Sequence, residues 1–164
     1  MKKVIKYFLY GIVYLVVIFF FAIMFIVTAK AELIKPNIKI NPDKVVQIQL
    51  KGLKYNDKPK PDNGIKQTWE FAHPSNKKNT GPLAKFISML KGESYKMLIN
   101  HLDSEITQIF KSNKQYGFEV TILGKDKKYY KFQWVVEKYY KDGPLKDCWL
   151  TTSVSNPVSM GSSI

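Results

Sequence analysis

Few residues in this chain have the chemistry expected of a catalytic or metal site. It contains two histidines, His73 and His101, and one cysteine, Cys148. A nucleophilic thiol needs a base beside it, and the sequence offers none next to Cys148, so we expect a buried, inert thiol. One cysteine cannot form an intramolecular disulfide, and two isolated histidines without paired cysteines argue against a zinc site.

The two histidines differ in their sequence surroundings. His73 lies in Phe71-Ala72-His73-Pro74, between two predicted helices. We interpret it as a structural residue that bonds the loop backbone, with a pocket acid, base or ligand-binding role as the alternative. His101 precedes the first predicted strand, and we expect an ordinary surface or hairpin residue there.

The acidic residues give little support for catalysis. Glu119 and Glu137 fall on the polar sides of predicted strands, away from the apolar side chains. Asp57 and Asp62 lie in turn-forming sequences, without the alternation of an EF-hand calcium loop. We therefore predict no catalytic residue, no metal and no cofactor, and we favour a protein that is not an enzyme.

Aromatic residues are the main candidates for ligand contact. They build either the core alone or, in the sharper interpretation, a pocket for an apolar or aromatic ligand, with tyrosine hydroxyls orienting its polar end. The predicted pocket consists of Trp69, Phe71, His73, Phe86, Tyr95, Tyr130, Phe132 and Trp134.

Helical signals that could position these residues occupy the first half of the chain. Pro42 and Asp43 are typical of a helix start, and an apolar stripe follows them to Leu53. A short helix is predicted over residues 64–72, a loop over 73–81, and a third helix from Pro82 to Gly92. Residues 95–99 are compatible with a strand or a short turn.

The apolar period changes to that of strands after residue 104. Strands are predicted over residues 104–111, 116–123, 128–140 and 147–154, with a tight hairpin turn at 124–127. Helices followed by an antiparallel meander predict an α+β fold with the helices on one face of a curved sheet.

The N-terminus carries an uncharged apolar run over residues 7–27, long enough to span a bilayer as a helix. Ala29-Lys30-Ala31 resembles a signal-peptidase site, so cleavage after Ala31 and a retained anchor are both open. We favour the anchor over residues 1–29, a linker over 30–42, a domain over 43–154 and a flexible tail over 155–164. The expected location is the inner (cytoplasmic) membrane, single-pass, with the domain on the periplasmic side.

The chain is strongly basic, with a formal net charge of +13, and every basic residue is lysine. Arginine supplies the bidentate contacts to phosphate and guanine, so its absence argues against nucleic acid as a partner. A solvated lysine surface is expected, with weak attraction to anionic membrane as the alternative.

Several motifs occur together between residues 43 and 154. They are VVQIQLKGLKYND (45–57), the run from Asp62 to Lys77 containing W-x-FAHP, TGPL-x-KF (80–86) and CW-x3-SV near the end. In these motifs the chain resembles a family of uncharacterised domains within the nuclear transport factor 2-like superfamily. The resemblance implies three helices capping a strongly bent, cystatin-like sheet, a cone with a pocket at its open end.

The combined prediction is a membrane-anchored, exported module that binds a small ligand or assists assembly without catalysis. Two alternatives remain. One is a small enzyme of the isomerase, dehydratase or hydrolase type that uses the cone pocket. The other is an accessory subunit of a membrane complex, or a homodimer, joined through an exposed apolar sheet face.

Overall fold

The computed structural model describes residue 7, residues 10–20 and residues 32–162. The chain divides into two compact units, with the boundary between Glu32 and Leu33. In the first unit, residues 10–20 are helical and their side chains are exposed. No helix within the described ranges is long and apolar enough to cross a membrane. Much of the predicted 7–27 anchor, and all of Ala29-Lys30-Ala31, lies outside the described residues.

The second unit begins with helices, as predicted. They are α1 (Pro42–Lys54), α2 (Asn63–Glu70), α3 (Pro74–Thr80), α4 (Leu83–Lys91) and a 3-10 turn over Lys96–Leu98. α1 starts one residue earlier than expected, because Pro42 occupies its first turn and Asn41 is the N-cap. The 3-10 turn matches the short-turn alternative for residues 95–99.

α3 contradicts the predicted loop over residues 73–81. Its sequence, PSNKKNT, contains no buried residue and therefore no apolar period that could reveal a helix. Local capping forms it instead: the His73 side chain accepts a hydrogen bond from the Ser75 N–H, and Pro74 occupies the first turn.

α1 and α2 cross at very short distance. A Cβ atom on Gly64 would lie 2.0 Å from the Gly52 carbonyl oxygen, so glycine is required at that crossing. Asn56 ties the start of α2 to the end of α1. Its backbone carbonyl accepts from the Gly64 N–H at 2.9 Å, and its Oδ1 accepts from the Ile65 N–H at 3.0 Å.

Five strands follow the helices: β1 (Asp103–Lys111), β2 (Gln115–Leu123), β3 (Lys128–Lys138), β4 (Trp149–Val154) and β5 (Val158–Ser162). Strands β1 to β4 pair in sequence order, every neighbouring pair antiparallel. The α+β fold with helices preceding an antiparallel sheet is thus confirmed.

The alternation predicted for β2 and β3 is also confirmed. The side chains that pack against the helices are Phe118, Val120, Ile122, Phe132, Trp134 and Val136. On the opposite face Glu119 pairs with Lys131 at 2.9 Å, and Gln133 is exposed. This parity places the large aromatic side chains toward α1.

Two segments predicted to be loose are ordered. Residues 158–162, expected in a flexible tail, form β5 and pair with the first half of β3. The predicted 30–42 linker packs on α2 from residue 34 onward, because the Gln67 amide exchanges two hydrogen bonds with the Ile34 backbone, at 2.8 and 2.9 Å. In both segments, hydrogen bonds to the rest of the unit satisfy backbone groups that would otherwise lack partners.

Candidate functional site

The helices and the β3–β4 half of the sheet enclose a cavity of about 240 Å³. Its floor is apolar, and the polar side-chain groups in its lining are amides, hydroxyls, one phenol and the Trp134 indole N–H. The lining consists of Gln49, Leu53, Thr68, Ala72, Asn76, Asn79, Thr80, Phe86, Met89, Leu90, Tyr95, Leu98, Trp134 and residues 151–154. No carboxylate, imidazole, ammonium or thiol is among these groups.

A buried hydrogen-bond triangle forms one wall of the cavity. Trp134 Nε1–H donates to Gln49 Oε1 at 3.1 Å and to Thr151 Oγ1 at 3.2 Å, and the Thr151 hydroxyl donates to Gln49 Oε1 at 2.6 Å. The Gln49 amide nitrogen then donates to the Thr68 carbonyl at 3.1 Å. All four residues are buried or nearly so, and their mutual bonds satisfy the polar atoms. The triangle fixes β3 and β4 to α1 without introducing a charge.

The mouth of the cavity is made by α3 and the end of β4. Asn76 Nδ2 donates to the Thr151 carbonyl at 3.4 Å, and the Thr80 hydroxyl donates to the Asn76 carbonyl at 2.8 Å. The side chains of Asn79 and Ser153 form no hydrogen bond with other described residues. These two groups can therefore donate to or accept from a ligand without breaking an internal bond.

Tyr95 lines the cavity beside the end of β4. Its hydroxyl donates at 3.3 Å to the Val154 carbonyl and at 3.4 Å to Asn156 Oδ1. Burial raises the pKa of the Tyr95 phenol, so this group remains a neutral hydroxyl at physiological pH. Its ring stacks on Phe132 with centroids 6.5 Å apart, which orients it.

Three of the eight predicted pocket residues line this cavity: Phe86, Tyr95 and Trp134. Phe71 and Phe132 are fully buried in the core, as the alternative interpretation of the aromatics expected. Trp69 packs beside the cavity, against the Phe86 ring at 5.0 Å.

The other two predicted pocket residues lie elsewhere. Tyr130 bonds the Asp126 carboxylate in the β2–β3 hairpin, and His73 lines a separate surface cleft. The alternation of side chains along a strand shows which aromatic residues are buried, but not which of them face a cavity. The sequence therefore could not separate cavity-lining aromatic residues from core residues.

The polar lining was missed by sequence reasoning. Gln49, Thr151 and Asn76 are ordinary residues locally, and only their long-range bonds bring them together. One signal was available for α3: histidine followed by proline and serine is compatible with a capped helix start. That signal would have put Asn76, Asn79 and Thr80 on one short helix.

The chain's acids and thiol remain outside the cavity lining. Glu119 pairs with Lys131, and Glu137 accepts a hydrogen bond from Gln115 Nε2 at 2.6 Å. Cys148 is a buried free thiol, and burial raises its pKa, which disfavours the nucleophilic thiolate. Within the described ranges no group of three potential metal ligands converges.

His101 contradicts the prediction of a surface residue: only 2% of its surface is exposed. Its Nδ1 lies 2.8 Å from the Leu98 carbonyl and donates to it, and Nε2 has no partner among the described residues. Burial lowers the pKa of His101, and the hydrogen bond to the Leu98 carbonyl raises it by a smaller amount. In the turn before β1 the Asn100 N–H donates to the Leu53 carbonyl at 2.8 Å, which holds this turn against the end of α1.

Taken together, the cavity can hold a compact, uncharged molecule and bond its polar end through neutral groups. Proton transfer at neutral pH needs a titratable group within reach, and the lining supplies only a high-pKa phenol. Comparison with protein-family models, curated proteins and solved structures finds no match to this chain.

Proposed function

We propose that the α+β unit is a non-catalytic binding module whose cavity takes a small, neutral ligand with an apolar body and a hydroxyl, carbonyl or amide end. The observation that carries the proposal is the lining: an apolar floor with polar groups that are all uncharged. A carboxylate or ammonium on the ligand would lose its hydration there without gaining a counter-charge. The cavity therefore selects against charged molecules.

The dimensions narrow the ligand further. A volume of about 240 Å³ is below the range of roughly 300–1,000 Å³ that is typical of pockets for drug-sized molecules. Phe86, Leu90 and Trp134 would contact the apolar body. Asn79 and Ser153 would bond its polar end at the mouth, where both lack internal partners.

We further propose that this unit is a cone of the nuclear transport factor 2-like type and that residues 7–27 hold it to the inner membrane, with the unit on the periplasmic side. The helices-then-sheet order and a cavity between the two layers support the first part. The second part is supported by the exposed apolar side chains of residues 10–20, which suit lipid better than water.

Membrane attachment is tested by fractionation of cells that express the full chain. We expect it to sediment with membranes and to resist extraction at high pH, and in intact spheroplasts added protease should degrade residues 33–162. A mature N-terminus at Glu32 would show cleavage and replace the anchor by a signal peptide. Protection from the protease would reverse the orientation.

The binding function is tested on full-length protein purified in neutral detergent. Native mass spectrometry should detect a co-purified neutral molecule on the wild type and on Asn113→Phe, a control at another exposed asparagine. Asn79→Phe, which places a ring across the mouth, should lack it while retaining the same circular dichroism spectrum.

The same samples should be screened for isomerase, dehydratase and hydrolase turnover. Turnover that Asn79→Phe abolishes and Asn113→Phe preserves would replace the binding function with catalysis in this cavity. If neither ligand nor turnover depends on Asn79, the cavity is not a binding site.

A further inference from the structure

The surface cleft between the start of α3 and the end of β3 is chemically unlike the cavity. It has a volume of about 490 Å³ and is lined by His73, Ser75, Lys78, Glu137, Lys138 and Lys141, with neighbouring side chains of Pro74, Tyr139 and Tyr140. Three lysines thus line one concave surface together with a single acidic residue. We propose that this cleft binds a small oxyanion of the phosphate class, either free or as the headgroup of a lipid.

The carboxylate in this cleft does not neutralise its lysines through an ion pair. Six lysines elsewhere form ion pairs with carboxylates, among them Lys91 with Asp62 and Lys131 with Glu119. None of the three cleft lysines forms an ion pair with a described residue, although Glu137 lines the same cleft. Glu137 is instead held by Gln115 Nε2 at 2.6 Å. The cleft therefore retains uncompensated positive charge, which attracts an anion.

His73 supplies a directed donor to the cleft. The Ser75 N–H donates to its Nδ1 at 3.1 Å, and the Ser75 hydroxyl lies 2.5 Å from the same atom. Since Nδ1 is an acceptor in this capping arrangement, the neutral ring carries its proton on Nε2. The His73 N–H donates to the Thr151 carbonyl at 2.8 Å, which fixes the residue on β4. The Nε2–H is therefore the donor available to a ligand.

Lys138 is also held in place. Its Nζ lies 5.3 Å from the centroid of the Trp149 ring, and the Lys138 N–H donates to the Lys114 carbonyl at 2.9 Å. A positioned ammonium acts as a point charge toward phosphate, for which bidentate arginine geometry is unnecessary. Lys78 on α3 and Lys141 after β3 place two further charges on the two walls of the cleft.

The charge around His73 predicts how its titration responds to a bound anion. Burial lowers its pKa, Glu137 on β3 raises it and Lys141 lowers it further. Lys78 on α3 and Lys138 on β3 also line the cleft, as do Tyr139 and Tyr140. A bound anion opposes the effect of the ammonium groups, so it should raise the pKa of His73. By linkage, the anion then binds more tightly to the protonated form.

The test is nuclear magnetic resonance of full-length protein in neutral detergent, with the histidine rings isotopically labelled. The chain has only two histidines, so the buried His101 is an internal control. Inorganic phosphate at pH 7.5 should shift the His73 signal in a saturable manner and leave His101 unchanged. Sodium chloride at matched ionic strength should not reproduce the shift, because screening alone does not saturate. Sulfate, whose charge is constant over the titration, should raise the pKa of His73 by about half a unit, equivalent to roughly threefold tighter binding to the imidazolium form.

Matched variants separate the cleft from overall charge. Lys141→Gln and Lys78→Gln should each weaken phosphate binding about fivefold, the scale of one lost charge-assisted contact. Lys125→Gln, which removes an exposed lysine in the β2–β3 turn, should change it less than about twofold. Equal losses in all three variants, or shifts of both histidines, would overturn the proposal in favour of non-specific attraction.

The source of the oxyanion is decided with mixed micelles. If the His73 shift saturates with inorganic phosphate, the ligand is a free or soluble anion. If only micelles that contain phosphatidic acid produce it, and phosphatidylcholine micelles do not, the ligand is a lipid headgroup. If neither probe shifts His73, the cleft does not bind oxyanions.

Discussion

The inner cavity and the surface cleft lie on opposite sides of the same segment, residues 72–76, yet their chemistry is opposite. The cavity is lined by neutral amides and hydroxyls, and its polar atoms bond one another across α1, β3 and β4. The cleft is lined by three lysines without ion pairs to described residues and by His73. Desolvation explains the difference, because burial of a charge in the cavity is far more costly than its exposure in the cleft. Within one small unit, burial therefore separates a cavity lined by neutral groups from a cleft lined by charged side chains.

The largest expected effect comes from the wall of the cavity. Trp134→Ala removes a fully buried ring and deprives Gln49 and Thr151 of the indole N–H that they accept from. It should therefore lower the free energy of unfolding by about 3–5 kcal/mol. Trp149→Ala, at the half-buried ring beside the cleft lysine, is the matched control and should cost clearly less. Chemical denaturation measures both. A loss below about 1 kcal/mol for Trp134→Ala would contradict the view that the cavity wall is part of the core.

A second prediction concerns the glycine contact that sets the position of α1 and α2. Gly64→Ala places a methyl group within 2.0 Å of the Gly52 carbonyl, which cannot move without shifting α1. We expect a loss of about 3 kcal/mol, at the upper end for overpacking. Gly143→Ala is a poor control, because the positive φ of Gly143 strains any other residue. Gly92→Ala is the better control: its Cβ would lie 3.2 Å from the Met89 carbonyl oxygen, so the substitution should cost less. Equal losses in thermal denaturation would mean that the crossing is adaptable.

The buried hydrogen-bond triangle can be tested by a substitution that creates no cavity. Thr151→Val keeps the side-chain volume, removes the hydroxyl that joins Gln49 and Trp134, and should cost about 1–2 kcal/mol. The neighbouring Thr152→Val removes a longer bond, 3.3 Å to the Val135 carbonyl, from a partly exposed position and should cost under about 1 kcal/mol. If the two variants were equally stable, the triangle would contribute nothing beyond ordinary packing.

Acidification should distinguish the two histidines. Burial lowers the pKa of both in the folded state, so the unfolded state binds more protons near its pKa of about 6.5. Stability is therefore lost as the pH falls from about 6.5 toward the folded-state pKa values. His101→Gln should flatten this dependence more than His73→Gln, because His101 is the more deeply buried ring. Denaturation at pH 7.5, 6.5 and 5.5 measures the slopes, and the reverse order would contradict the assignment.

The smallest effect on stability is expected in the cleft. Lys141→Gln should change the free energy of unfolding by less than about 0.5 kcal/mol, since Lys141 is exposed and unpaired among the described residues. The same substitution should nevertheless weaken phosphate binding about fivefold. A destabilised Lys141→Gln variant would show that the lysine has a structural partner and would weaken the contrast between cleft and cavity.

Local patterns alone were sufficient for much of the fold. The period-two alternation of β2 and β3 correctly placed Trp134 inside and Lys131 and Gln133 outside, because neighbouring residues in a strand point to opposite faces. The apolar stripe of α1 similarly identified its buried side. Helices first and antiparallel strands afterwards followed from the change of period.

The tertiary structure decided the rest, because the relevant contacts join residues distant in the sequence. The Trp134–Gln49 bond spans 85 residues and the Thr151–Gln49 bond spans 102, and neither leaves a local pattern. α3 has no buried side, and β5 depends on pairing with the first half of β3. His101 is buried in a turn whose Asn100 N–H bonds the Leu53 carbonyl of α1. The sequence alone determined the order of elements and the faces that they bury. Which polar groups meet at the cavity, and which lysines remain unpaired in the cleft, depended on how distant segments satisfy hydrogen bonds and exclude charge.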